Sequence, residues 1–398
     1  MPVGLLSSPL TAAGRTCEGA PIETLFGITE PSLDAEVDRK LESARALIAR
    51  RDLAALVLQG TDVVAWITGG LTNRIEPGNP TSVAWVVVTP DAAHVVTTSV
   101  ELPRLRAEGA LGAYELHAVD WFADGAFSSL AEELADASSS RIGGLGADVA
   151  DDLIELRLVL DEAERARLAA LAADATFALE GALRQWTPGE LDTEVQARIA
   201  AGLEAKGAFG ACLIVGGDDR VERFRHPLAA GVPASRLVMA VVVAERHGLH
   251  AAATRFASAG RLADSVRAAR AAACAVERAV LDASQPGATY GEALVALADG
   301  YARAGHPGAW REHYQGGPIG YRQREFEIAP SQAGSRWFGT PIAVGSALAW
   351  NPSVAGGGKC EDTYLVEIEG LRCLTASSDW PLEDGRPAVL DAVGGGSA

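Results

Sequence analysis

Two side chains stand out for chemistry. His226 lies in Arg225-His226-Pro227, a proline-bounded turn after the strand-like run Ile214-Val215-Gly216-Gly217. A neutral imidazole takes or gives a proton near neutral pH without a metal, so His226 is a candidate acid/base; the other reading is a loop histidine bonded only to its neighbours. Glu361 sits in Cys360-Glu361-Asp362-Thr363-Tyr364-Leu365-Val366. The period of two along a strand turns Glu361 to one face, expected to be inward, and Asp362 to the other. A carboxylate there is suited to act as a base or to bind a substrate cation, the alternative being a structural ion pair. In Tyr321-Arg322-Gln323-Arg324-Glu325 the guanidinium of Arg324 can fork onto a substrate carboxylate and Glu325 can assist in catalysis, unless the block is a solvated strand edge. Asn351 offers a neutral amide in Trp350-Asn351-Pro352, and His250 is a further candidate substrate contact. His247 and His250 point to opposite faces by alternation, and no other His/Asp/Glu cluster at ligand spacing is expected. Cys360 reads as a buried thiol, because nothing places a base beside it.

The elements that must position these groups fall into two blocks. Apolar residues at helical spacing predict an amphipathic helix over Leu33–Arg51, followed by β-like runs at Ala55–Leu58, Val63–Ile67, Val83–Val88 and His94–Thr98. Helices over Glu101–Glu108 and around Ala123–Ala137, then a glycine-rich strand Ile142–Gly146, complete a small α/β domain over 33–152, after a flexible segment 1–32. From 153 to 390 an order recurs: a helix opened by Asp161-Glu162-Ala163-Glu164 and running to Gln185, a Pro188-Gly189 turn, a helix ending near Lys206, then a strand Ala211–Val215. Its second copy is a helix Leu262–Ala283, a Pro286-Gly287 turn, a helix ending at Gly305, then a strand Ile342–Trp350. An internal duplication would give a pseudo-twofold half-barrel with a site between its halves; the other reading is two unrelated helical hairpins that share a Pro-Gly turn. Residues 391–398 read as a disordered tail.

Order and spacing from Leu33 to Leu374 resemble the pita-bread superfamily of methionine aminopeptidase, prolidase, aminopeptidase P and creatinase. The carrying motifs are Gly316-Gly317-Pro318-Ile319-Gly320 where the family has Gly-His-Gly-Ile-Gly, Asn351-Pro352 where it has Glu-Pro, Glu361-Asp362-Thr363, and Ala252-Ala253-Thr254-Arg255 where it has Asp-x-Thr-Arg. The resemblance implies an α/β (α+β) chain, a creatinase-type N-terminal domain followed by a pita-bread domain. It also implies that the dinuclear metal is gone. Val241 and Ala252 stand at the two Asp positions, Gly317 at the His and Asn351 at a Glu, leaving Glu361 alone. Hard cations need several oxygen or imidazole donors, so no metal and no cofactor are expected. Within the resemblance His226 matches a substrate-binding or proton-transferring histidine. Arg255 matches an arginine that pairs active-site carboxylates, its expected roles being substrate binding or a structural pair. Arg74, in Trp66–Arg74, matches a segment that reaches the partner's site in creatinase-like dimers; a solvent-exposed loop arginine is the other reading.

Bulk properties narrow the field. A formal charge of −18 argues against a nucleic-acid partner or an anionic membrane. Five widely spaced cysteines without a C-x-x-C pair suggest reduced thiols, and no run approaches the roughly 20 apolar residues of a membrane span. The expectation is a cytoplasmic homodimer that hydrolyses a C–N bond in a small polar, carboxylate-bearing molecule without metal. A lyase or cyclase in the same pocket, or a non-catalytic binding protein, are the alternatives.

Overall fold

The computed structural model describes residues 30–393. Helix α1 (Glu30–Arg50) buries Val37, Leu41, Ala44, Leu47 and Ile48 along one stripe. That stripe covers a mixed sheet of strands β1 (Ala55–Gly60), β2 (Thr81–Val88), β3 (Ala93–Thr98), β4 (Glu115–Val119) and β5 (Ile142–Gly143), in the order β4-β3-β2-β1-β5. β2 and β3 form an antiparallel hairpin that turns at Asp91, while β4 adds parallel to β3 as the edge strand. Two differences from the sequence reading concern this unit. Val63–Ile67 is not a strand but lies in helix α2 (Thr61–Ile67), buried from Asp62 to Ile67. An apolar run buried all round carries no alternation, so periodicity could not choose between the two. Strand β4 went unforeseen, because only part of Glu115-Leu116-His117-Ala118-Val119 is apolar.

Helices α3 (Leu102–Glu108), α4 (Ala126–Ala135) and α5 (Ala150–Arg157) lead to the larger part of the chain. There α6 (Glu162–Arg184) opens on a capping box between Asp161 and Glu164, and α7 (Asp192–Glu204) packs against it. Strands β6 (Phe209–Gly217), β7 (Leu237–Arg246) and β8 (Leu249–Ser258) follow, with the short helix α8 (Asp219–Arg223) after β6. The second copy is α9 (Asp264–Asp282), α10 (Tyr290–Arg303), capped by Thr289 and Glu292, and strands β9 (Gly316–Ile319), β10 (Ala347–Trp350), β11 (Tyr364–Glu367) and β12 (Gly370–Cys373). Gly189 and Gly287 hold the two inter-helix turns at φ 93° and 87°, a conformation that a side chain disfavours. The two sheets are β13-β8-β7-β6 and β9-β10-β11-β12, where β13 (Val389–Asp391) runs parallel to β8. Asp391 is therefore strand, not tail. Residues 394–398, like 1–29 and Cys17, lie outside the described residues.

The two half-sheets are joined where β8 meets the segment before β11. Thr254 N–H donates to Glu361 O at 2.9 Å, and Thr363 Oγ1 both accepts from Ala252 N–H at 2.8 Å and donates to Ala252 O at 2.9 Å.

A charged seam ties the N-terminal sheet unit to the rest. Arg167 on α6 donates twice to Glu36 on α1, at 2.8 and 2.6 Å, and Lys40 bridges Glu36 and Glu164 at 2.5 and 2.7 Å. Arg157 similarly links Asp62 and Glu325 at 3.0 and 2.8 Å. Burial alone would raise the Glu36 carboxyl above its ordinary 4.5, but Arg167 and Lys40 outweigh that and hold it at about 2. A depressed carboxyl stabilises the fold above its unfolded value and ceases to do so as pH falls towards the folded one. Between pH 4.5 and 2 this group should therefore cost about 3 kcal/mol of stability. Urea titrations across that range should show Glu36→Gln with a lower starting stability and a flatter acid limb than wild type.

Candidate active site

His226 follows α8 in a loop that lies flat on the end of β6. Gly216 makes that possible: a Cβ there would stand 2.6 Å from Pro227 Cβ. The imidazole of His226 is exposed, and its Nε2 lies 3.1 Å from Nε2 of His313, a residue sequence reading passed over. His313 Nδ1 contacts the carbonyl of Tyr314, which only accepts, so Nδ1 carries the proton and Nε2 is an acceptor. Lys359 Nζ donates to that same Nε2 at 3.0 Å. His226 must then present Nε2–H to His313, which leaves its Nδ1 lone pair for proton transfer. The result is a cluster in which an exposed imidazole and a buried amine converge on one acceptor nitrogen of a buried imidazole.

Electrostatics agree with these protonation states. Burial, then the Lys359 charge, drives the His313 imidazole down to about 2 and keeps it neutral. Burial also lowers the Lys359 ammonium, against the pull of the Glu361 carboxylate. His226 falls below its ordinary 6.5 through partial burial and then Lys359. Gln315 holds the His313 loop by donating to the carbonyls of Trp310 (3.0 Å) and His313 (2.7 Å), and accepts from Tyr301 of α10 at 2.9 Å. Arg225 is fixed by Ser353 at 3.2 Å and Glu312 at 2.6 Å. These residues border an open cavity of about 760 Å³ lined by Arg225, His226, Arg311, His313 and Glu327 among others.

Glu361 lies deeper, 2 % exposed; Arg324 donates to one oxygen and Thr254 Oγ1 to the other, both at 3.2 Å. Alternation thus turns Glu361 inward together with Lys359 two residues earlier, a signal available in the sequence. Asn351 is buried and its Oδ1 finds no hydrogen-bond partner among the described residues.

Three expectations need correction. Arg255 is 1 % exposed on the opposite face of β8, its guanidinium committed to Glu180 (3.1 Å), Asp362 (2.9 Å) and the carbonyls of Thr254 and Thr375; it is a structural clamp and not a substrate contact. Glu325 accepts from Arg157 at 2.8 Å and from Tyr321 N–H at 2.7 Å, so it caps a loop within the charged seam instead of assisting catalysis. A ligand-type cluster does exist, since His94, Glu115 and His117 gather on the N-terminal sheet. Their spacing hides it, because β3 and β4 pair across a helix. Arg74 and His250 share a second cavity, of about 520 Å³, with Asp62, Phe209 and Arg322. There Arg74 pairs with Glu245 and stacks on Phe209 of its own chain, 4.8 Å from the ring centre, while His250 contacts Gly320 O at 3.2 Å.

The positions that the resemblance reserves for metal ligands do not fit metals. Val241 pairs with Thr254 and Ala252 with Val243, so all four share one face of the hairpin with Met239 and Phe256. Val241 there joins an apolar cluster with Ile214, Met239 and Phe256. Gly317 has φ 141°, and a Cβ would lie 3.7 Å from the Trp350 ring. One carboxylate already bonded to Arg324 and Thr254 cannot by itself hold two hard cations.

No family model and no curated protein matches the chain. Solved structures do match. A dipeptidase PepE from Mycobacterium ulcerans is 21 % identical, with a TM-score of 0.70 over 86 % of this chain and 96 % of that one. A prolidase from Pyrococcus horikoshii OT3 is 16 % identical, with a TM-score of 0.68 over 85 % and 99 %. The N-terminal domain of the FACT complex subunit SPT16 from Cicer arietinum is 13 % identical, with a TM-score of 0.64 over 86 % and 96 %. The chain has the pita-bread fold. No helix among the described residues is long and apolar enough to cross a membrane.

Within this pita-bread fold, Arg255→Met should act on stability. It removes the cation shared by Glu180 and Asp362 and leaves Arg184 (3.3 Å) and Arg386 (3.4 Å) as their remaining cationic partners, a loss of about 3 kcal/mol. Calorimetry should show a large fall in Tm, whereas an unchanged Tm with weakened ligand binding would restore a substrate role.

Proposed function

We propose that this chain is a pita-bread hydrolase that cleaves a C–N bond in a small, carboxylate-bearing molecule without the dinuclear metal. The observation that carries this is the His226–His313–Lys359 cluster at the edge of a cavity with Arg225 and Arg311 on its wall. His226 Nδ1 takes a proton from water as its oxygen bonds to the substrate carbon. The imidazolium then returns that proton to the nitrogen as the C–N bond breaks, so water is divided between the two products. His313 is a positioning residue that fixes the tautomer of His226. Arg311, together with Arg225 beside Glu312, would hold the carboxylate. Glu361 would keep Arg324 in place instead of acting as the base. The peptidases among the structural neighbours support a hydrolytic reading by fold alone. A homodimer in which Arg74 serves the partner's site belongs to the same proposal.

The test is turnover of N-acyl, ureido and guanidino acids by chelator-treated protein in ¹⁸O-labelled water. Label in the product supports hydrolysis, and turnover without label favours a lyase or cyclase. His226→Ala should lose roughly a hundredfold or more in kcat with its Tm kept. Because the reactive form of His226 is neutral and its pKa is depressed, kcat/KM should rise with pH through a value below 6.5 and level off by neutrality. A rate still climbing well above neutral pH would reassign the base. The SPT16 neighbour, a subunit of the FACT complex, supports a binding role as second reading. Saturable ligand binding without turnover, indifferent to His226→Ala, would favour it.

A further inference from the structure

We infer that the N-terminal sheet carries a mononuclear site for a zinc-class divalent cation, made by His94, Glu115 and His117. In the β3–β4 ladder His94 lies directly opposite Glu115, and His117 is two residues further along the same face. His94 Nδ1 is 3.1 Å from His117 Nε2 and 3.4 Å from Glu115 Oε2. Two ligands held roughly 2.0–2.1 Å from a tetrahedral zinc stand about 3.3 Å apart, which both His94 separations match, and all three donor atoms lie within 4.8 Å of one another. The site is graded in depth: His94 is a buried anchor at 8 % side-chain exposure, and Glu115 on the edge strand is 70 % exposed. The Asp91 carboxylate adds negative charge near His94. Two imidazoles with one carboxylate favour zinc and its late first-row neighbours over magnesium or calcium, which prefer oxygen donors throughout. Three protein ligands leave a coordination position open to water or an incoming donor.

The ion would clasp edge strand β4 to β3. The site is separate from the His226 cluster, so it stands whether or not the proposed hydrolysis does.

The experiment is calorimetric titration of Zn²⁺ into the chelator-stripped full chain, with Mg²⁺ as control and thermal melts alongside. One equivalent should bind at micromolar affinity or better and raise Tm, while Mg²⁺ does neither. His117→Ala and Glu115→Gln should each weaken zinc roughly tenfold or more. Glu115 is exposed, so its variant reports on binding without threatening the fold. His226→Ala with His313→Gln should leave the affinity unchanged. Absence of zinc binding, binding that survives both sheet variants, or binding abolished by the His226/His313 pair would each overturn the assignment.

Discussion

Everything about the candidate site depends on how the two half-sheets are joined. Each half exposes a strand edge that must be paired, because unpaired N–H and C=O groups in a dry interior are costly. The chain meets this with Ala252 and Thr254 on one side and Glu361 and Thr363 on the other. Alternation then assigns the neighbours. Arg255 and Asp362 fall behind the join and neutralise each other in the core. Thr254, Lys359 and Glu361 fall in front of it, beside Arg324 and the His313 loop. One set of strand pairings therefore separates the charges that hold the molecule together from those available for chemistry.

That separation lets the residues in front of the join vary without disturbing the clamp behind it. Oxygen ligands on β7 and β8 would project from the face where Val241 packs with Ile214, Met239 and Phe256. The apolar cluster packs this face beside the join with hydrocarbon side chains. The proposed chemistry would rest instead on neutral acids and bases, and burial keeps His313 uncharged and lowers Lys359.

Much of this was legible in the sequence, for physical reasons that can be named. The repeated helix, Pro-Gly turn and helix could be read because the turn glycines need positive φ and the helices carry their own caps. Glu361 was legible as inward-facing from the period of two. Residues joined through long-range contacts were not. Arg255 and Glu325 looked like site residues until Glu180, Asp362 and Arg157 appeared beside them from distant helices and segments. His313 was missed because its importance comes from an 87-residue separation closed by folding. Lys359 could have been found, since the alternation that turns Glu361 inward turns Lys359 with it. The His94–Glu115–His117 cluster was hidden by the helix between its two strands.

The central claim is that the pita-bread core here works without cations at Glu361. Anomalous diffraction from crystals grown in Mn²⁺ or Co²⁺ tests it most directly. The account predicts no anomalous peak within ligand distance of Glu361, with Thr254 and Arg324 still bonded to its two oxygens. One or two ions coordinated by Glu361 would contradict it and return the site to metal-dependent chemistry.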